Sequence, residues 1–483
     1  MSEYVKVAQL KEPATLRARL AELGLELPVD DAVLTAAAGS PLAQTKTVAG
    51  RTIGNRWCIH PMEGWDAETD GSPSEYTLRR WRNFGLSGAK LIWGGEAAAV
   101  QRDGRANPRQ TLAVPENLPG LRKLYDELVA AHREVCDRDD DLLVGLQLTH
   151  SGRFSRPNSS KLEPRIAYHH PLLDEKFHID PLDASVVWTD SDLETLIDDY
   201  VRGAHLAAQA GFHFVDVKAC HGYLLHEFLS ARTRPGKFGG DLEGRSRVLR
   251  TIIGRIRDEL PQLIVGVRLS LFDIPPYATS REVGKPMEYE RLLPYAFGFG
   301  TNPERPLEYD LTEPFELLRM LLRRRRGADE HLVRQSLLQP THPTSGDFSA
   351  ERRLSAPRRS ADRRGPPSAG RATVPTSVPR LADGRQRAQL PARLFTARGA
   401  MLVRDGWMDF VGLGRMVLSY PELPRETLEH GKTTRKKICR TFSDCTTAPR
   451  HHLISGCYPL DPYYKALPEF KQVQEFKQAL KRD

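Results

Sequence analysis

Lys218, His221 and Tyr223 place an ammonium, an imidazole and a phenol within six positions. Lys and His can donate to an oxygen that gains negative charge, and Tyr can deliver a proton. The strand-like run Phe212-His213-Phe214-Val215-Asp216-Val217 leads straight into them. In a (β/α)8 barrel the C-terminal end of such a strand is where catalysis sits. Read alone, the same residues equally describe a polar turn before a helix that buries Leu224, Leu225 and Phe228.

Other elements must position these groups. Strand signals recur at Trp57 to His60, Ala89 to Trp93, Leu142 to Leu148, Phe212 to Val217, Leu263 to Leu269 and Met408 to Val411. Helical stretches separate them. The clearest spans Ser191 to Ala210, with Ser191 and Glu194 in a capping-box pattern and Gly211 as the stop. Leu193, Leu196, Ile197, Tyr200, Val201 and Ala204 give it a helical apolar period. A short amphipathic helix is expected from Ala14 to Leu23, ended by Gly24, within an N-terminal lead-in of residues 1–45. Alternating strands and helices predict a parallel α/β architecture. Six strands are visible where a closed barrel needs eight.

Composition narrows the function classes. The chain has 483 residues, a formal charge of +8 and six Cys, too few for a disulfide scaffold. No stretch approaches the roughly 18 apolar residues of a membrane helix, and a cytoplasmic location with no membrane partner is expected. The basicity belongs to one segment. Residues 323–400 hold 17 Arg, no Lys and 6 acidic residues, hence +11; the remainder carries 53 basic and 56 acidic residues, hence −3. Aromatic residues do not interleave with the Arg-rich runs as they do in single-strand binders, so no nucleic-acid partner is expected.

Four further motifs surround the first. They are Pro61-Met62-Glu63-Gly64, Gln147-Leu148-Thr149-His150-Ser151-Gly152-Arg153, Phe238-Gly239-Gly240-Asp241-Leu242-Glu243-Gly244-Arg245 and Val411-Gly412-Leu413-Gly414-Arg415. In this order and spacing the chain resembles the old yellow enzyme family of NADH:flavin oxidoreductases, flavin-dependent ene-reductases, including its 2,4-dienoyl-CoA reductase branch. The resemblance covers roughly residues 45 to 320 and 400 to 465. It implies an α/β (β/α)8 TIM barrel with strands one to five in residues 46–322. It also implies an FMN across the barrel mouth, NAD(P)H as reductant and a small-molecule activated alkene as substrate, either an α,β-unsaturated carbonyl compound or an enoyl or dienoyl thioester.

The resemblance also assigns roles. Pro61, Met62 and Glu63 lie beside the flavin at the end of strand one, although family members usually carry a small or neutral residue where Glu63 stands. Gly94, Gly95 and Glu96 follow strand two, where close backbone approach favours Gly. Gln147 meets the flavin's pyrimidine edge, His150 lines the same mouth, and Arg268 supplies positive charge to that edge. Lys218 and His221 take the paired oxygen-binding positions; the usual pair is His with His or Asn, so Lys218 is a departure. Its charge would suit a thioester or carboxylated substrate. Tyr223 matches the proton donor to the α-carbon. Gly412, Gly414 and Arg415, with the C-terminal tail in residues 401–483, match the phosphate site after strand eight.

Cys439, Cys445 and Cys457 occupy three of the four slots in which the dienoyl-CoA reductase branch holds a four-iron cluster, and Phe442 stands in the fourth. Such a cluster needs four thiolates, so structural thiols and no metal are expected. A zinc site completed by His451 and His452 is the weaker alternative.

Residues 323–400 should contain barrel strands six and seven, yet they lack Ile, Tyr, Asn, Trp, Cys, Met and Lys. Parallel strands normally read as buried apolar runs, so both strands are doubtful as written, and the segment is expected to be irregular. Codons exist for Arg334 to Thr341 that, read one base later, spell Gly-Ser-Pro-Tyr-Tyr-Asn-Pro-His. The same frame, continuing through Thr344-Ser345-Gly346-Asp347-Phe348, permits Gln-Arg-Pro-Ala-Ile-Phe, and Ala382 to Arg387 permits Pro-Met-Val-Gly-Ser-Gly. These shifted peptides resemble family barrel sequence. A frame shift near Leu322, compensated near Gly399, accounts for the segment. A flavin-free, non-catalytic barrel remnant damaged in strands six and seven is therefore the alternative function.

Overall fold

The computed structural model describes residues 12–24, 29–278, 284–322, 336–341, 392–440 and 442–482. Seven strands build its centre: β1 Trp57–Ile59, β2 Leu91–Ile92, β3 Leu143–Thr149, β4 Phe214–Ala219, β5 Ile264–Ser270, β6 Ser336–Thr341 and β7 Val411–Leu413. They hydrogen-bond in the order β6-β5-β4-β3-β2-β1-β7. Every neighbouring pair is parallel. Strands that pair in sequence order, with helices on the crossovers, form the strongly curled sheet of a (β/α)8 barrel. β7 lies against β1, the place expected of strand eight. Among the described residues, β6 and β7 are the two ends of the path and do not pair with each other.

Alternation along the strands sorts their side chains. Leu146, Leu148, Val215, Val217, Val265 and Val267 join the large core between sheet and helices. Their alternates Leu143, Phe214 and Ile264 join Cys58, Leu91, Trp93 and Phe410 in a separate cluster inside the barrel. All residues of β3, β4 and β5 are buried. Both faces are therefore apolar near the strand N-termini. Chemistry-bearing residues begin only in the upper, C-terminal half.

The helix ahead of β4 spans Asp190–Ala210 and stops at Gly211, which takes a left-handed φ of 104°. Its capping box is made by Thr189 and Asp192 rather than by Ser191 and Glu194. The Thr189 hydroxyl accepts from the Asp192 N–H at 3.1 Å, and Asp192 accepts from the Thr189 N–H at 3.2 Å. The first helix runs Pro13–Glu22, with Gly24 at φ 64°.

Strand six corrects an expectation. Ser336–Thr341 pairs with the whole of β5, from Ser336 opposite Val265 to Thr341 opposite Ser270. A ladder is made by backbone N–H and C=O groups, so the free edge of β5 can recruit a short segment whose composition is poor in strand formers. The expectation of irregularity also ends at Ala392, where the helix Ala392–Arg404 begins. The rest of 323–400, and with it any strand seven, lies outside the described residues. Among the described residues no helix is long and apolar enough to cross a membrane.

Candidate active site

β4 delivers Lys218 in its last turn of pleat, and the chain then reverses sharply. His221 and Gly222 both take left-handed conformations, at φ 66° and 75°. Gly does so freely, whereas an L-residue such as His pays roughly 1 kcal/mol. The reversal is tied at three points. The His221 N–H donates to Ser270 Oγ at the end of β5 at 3.2 Å, Gly222 N–H to His226 Nδ1 at 2.9 Å, and Tyr223 N–H to the Cys220 carbonyl at 3.2 Å. Tyr223 becomes the N-cap of the helix Leu224–Leu229. Its ring thereby folds back over the strand end, with Lys218 Nζ 3.5 Å from the ring centroid. The imidazole of His221 lies against Cys220, 3.5 Å from Nδ1 to Sγ.

Glu63 arrives from the loop after β1. That loop is clamped from below by a buried charge cluster: Arg80 bonds Asp66 at 2.5 Å and also pairs with Glu96. Glu96 in turn accepts from the Gly64 N–H at 3.1 Å. A side chain at position 64 would begin 1.9 Å from Arg80 Nη1, so only glycine fits. So held, Glu63 points inward. One carboxylate oxygen pairs with Lys218 Nζ. The other accepts from the Tyr223 hydroxyl at 2.7 Å and from Trp65 Nε1 at 3.3 Å. Lys218 and Glu63 are only 5% and 11% exposed, so this is an ion pair within the site wall. The positive charge of Lys218 is therefore matched, and the reading that it would attract a carboxylated substrate does not carry over.

Below this trio lies a polar layer inside the barrel. Gln147 on β3 stands opposite Asp216 on β4 and donates to it at 2.5 Å. Arg268 on β5 stands opposite Lys218. Burial pushes the Asp216 carboxyl up to about 6, against the pull of Gln147 and Arg268. His60, one residue past β1, is pushed down to about 3 by burial and by the Arg268 charge. Burial, followed by the charge and hydrogen bond of Glu63, holds the Tyr223 phenol well above its ordinary range.

Neither Asp216 nor His60 was singled out from sequence. The signal for Asp216 was its position two before Lys218, on the same side of the strand. Arg80 and Asp66 gave no comparable signal, and the place of Glu96 after strand two did not show its pairing with them, because their meeting requires three separate elements.

The remaining candidates fall into two groups. Gly94 and Gly95 bend the chain after β2 at φ 84° and 28°, and a Cβ on Gly95 would come 2.8 Å from Trp81. The Met62 N–H reaches the Gly95 carbonyl at 3.5 Å, linking the first two strand ends beside buried Pro61. His150 is set apart from the mouth: its ring packs on Trp188 at 5.1 Å and faces Asp103 at 3.7 Å.

Within β7, Gly412 passes His60 so closely that a side chain there would collide with the imidazole. Gly414 opens the short turn of helix Arg415–Leu418. Arg415 Nη1 approaches Cys445 Sγ at 4.0 Å. Burial pushes the Cys457 thiol up to about 12. His451 is stacked on Phe476, with ring centroids 4.0 Å apart. Among the described residues no cluster of His, Cys, Asp and Glu has a metal-holding arrangement.

Solved structures share the fold. The 2-naphthoyl-CoA reductase complex superposes with a TM-score of 0.58 at 18% identity, covering 88% of this chain and 57% of that one. The old yellow enzyme from Pichia sp. AKU4542 gives 0.55 at 18% identity, covering 84% and 90%. Among curated relatives, an NADPH dehydrogenase from Geobacillus sp. (strain WCH70) is 30% identical over 241 residues, 48% of this chain and 63% of that protein. An NADH:flavin oxidoreductase from Gibberella zeae is 29% identical over 243 residues, 47% and 56%. The chain thus spans about three-fifths of the length of the curated relatives it matches. The model of the NADH:flavin oxidoreductase / NADH oxidase family matches residues 46–288, half of the chain and all of β1 to β5. By this match over half of its length the chain belongs to this family, that of the old yellow enzymes.

Proposed function

We propose that the chain is an FMN-dependent NAD(P)H oxidoreductase that reduces small alkenes activated by a carbonyl group, and that it works in the cytoplasm. The observation that supports this reading best is the joint placement of Gln147, Lys218 and Arg268 on three adjacent strands, with Tyr223 in the turn just past β4. The donor set also fits a flavin. Arg268 is buried, and its Nε has no hydrogen-bond partner among the described residues. An unspent guanidinium N–H and a Gln amide on strands either side of β4, on the same side of the sheet, match the acceptor-rich edge of an isoalloxazine. Gln147 and Arg268 would hold that edge, Pro61, Met62 and Gly95 would back the ring, and Gly412, Gly414 and Arg415 would take the phosphate. Bound FMN, reduced by NAD(P)H, would supply hydride to the β-carbon.

The chain's own residues do the rest. Lys218 and His221 donate to the carbonyl oxygen as it gains charge. Tyr223 delivers the proton to the α-carbon. Because its phenol is held above the ordinary range, it stays protonated at neutral pH and is available as an acid.

The test is direct. The purified protein should be yellow, and NAD(P)H should drive reduction of a simple cyclic enone. Tyr223→Phe should leave flavin binding and flavin reduction by nicotinamide nearly intact while slowing enone reduction by about 10²-fold. A colourless protein that takes up no FMN favours the flavin-free barrel remnant instead. Equal loss in both half-reactions would make Tyr223 a structural residue.

A further inference from the structure

Two side chains set this site apart, an acid in the loop after β1 and an amine on β4, and they are partners. Glu63 spends one oxygen on Lys218 and the other on Tyr223 and Trp65. Both charged groups are nearly buried, so a substrate oxygen that approaches Lys218 must also approach Glu63. Hydrogen-bond chemistry then constrains what can bind. A carbonyl can accept from Lys218, but a lone acceptor leaves the carboxylate facing another oxygen. A neighbouring N–H or O–H would instead donate to Glu63. A neighbouring carboxylate would set two anions side by side in a poorly solvated wall, which is strongly unfavourable.

We infer that Glu63 is a specificity-determining residue: with Lys218 it selects uncharged activated alkenes that carry an N–H or O–H donor beside the carbonyl, and it rejects carboxylates. This rests on the reading of the barrel mouth as an ene-reductase site.

The test uses the full-length flavin-loaded protein and two phenols that differ in one neighbour. Catechol offers an acceptor oxygen with an adjacent O–H, and salicylate offers the same oxygen with an adjacent carboxylate. Binding is read from the shift in flavin absorbance, without turnover. The wild-type protein should bind catechol at least about tenfold more tightly than salicylate, a modest fraction of what like-charge contacts cost. Glu63→Gln keeps the shape and removes the charge, so it should tighten salicylate by about tenfold or more and leave catechol within a few-fold. In turnover, the ratio of kcat/KM between an α,β-unsaturated primary amide and its parent acid should fall in the same variant. An unchanged catechol-to-salicylate ratio in Glu63→Gln, with flavin and both phenols bound, overturns the specificity role alone. A wild-type protein that binds neither flavin nor phenol overturns the enzymatic reading and this inference with it.

Discussion

Glu63 and Lys218 are the two site residues that depart from the family pattern, and they meet in an ion pair. Each departure looks harmful when read singly, an anion beside a flavin or a lone cation in an oxygen-binding pair. Together they leave the site wall without net charge. A second residue-scale lesson concerns Gly412. Its place in the Gly-Leu-Gly-Arg motif pointed to phosphate, but the structure supplies a packing reason as well, since His60 fills the space a side chain would need. Gly412→Ala should therefore force His60 aside and destabilise the protein by about 1–3 kcal/mol, the usual range for overpacking a close-packed site. Urea denaturation would show this as a lower midpoint at unchanged slope. An unshifted midpoint would mean that His60 swings away at little cost.

At the scale of elements, period-2 and period-3.6 patterns placed strands and helices well, and their ends less well. The strand signal Ala89 to Trp93 shrinks to Leu91–Ile92, and Met408 to Val411 moves to Val411–Leu413. A ladder extends only where a neighbour offers hydrogen bonds, and that neighbour is distant in sequence. The cap of the helix Asp190–Ala210 moved by two residues because Thr189 and Asp192 satisfy one another while Asp190 accepts from Arg234 at 2.9 Å. Thr189→Ala removes one half of that box and should cost about 1 kcal/mol, whereas Ser191→Ala should cost much less. Thermal unfolding of the two variants side by side distinguishes them. Equal losses would place the cap at Ser191 after all.

At the scale of the molecule, the chain combines an ordinary, mildly acidic barrel body with a segment of net charge +11 in residues 323–400. We propose that this segment is read out of frame. Resequencing the gene should reveal one base to add or remove near each end. The restored chain should carry Gly-Ser-Pro-Tyr-Tyr-Asn-Pro and a glycine loop, and it should bind FMN more tightly than the chain as written, measured by flavin fluorescence quenching. A confirmed frame with tight FMN binding in the chain as written would end that hypothesis. The strand Ser336–Thr341 already shows that six residues of the segment can serve as an edge beside β5.

By itself the sequence determined the alternation of strands and helices, the order of the motifs and the grouping of Lys218, His221 and Tyr223 at the end of one strand. These are local properties: a run of β-branched residues, a glycine after a periodic stretch and a short spacing are visible without knowing what lies across the barrel. Only the tertiary structure decided which charges cancel. Glu63 and Lys218 are 155 residues apart, and Arg80 reaches Asp66 and Glu96 from the helix Glu75–Gly85. Curling a parallel sheet brings every strand end to one mouth. Residues that share nothing in sequence thereby become neighbours, and burial there strengthens each contact between them.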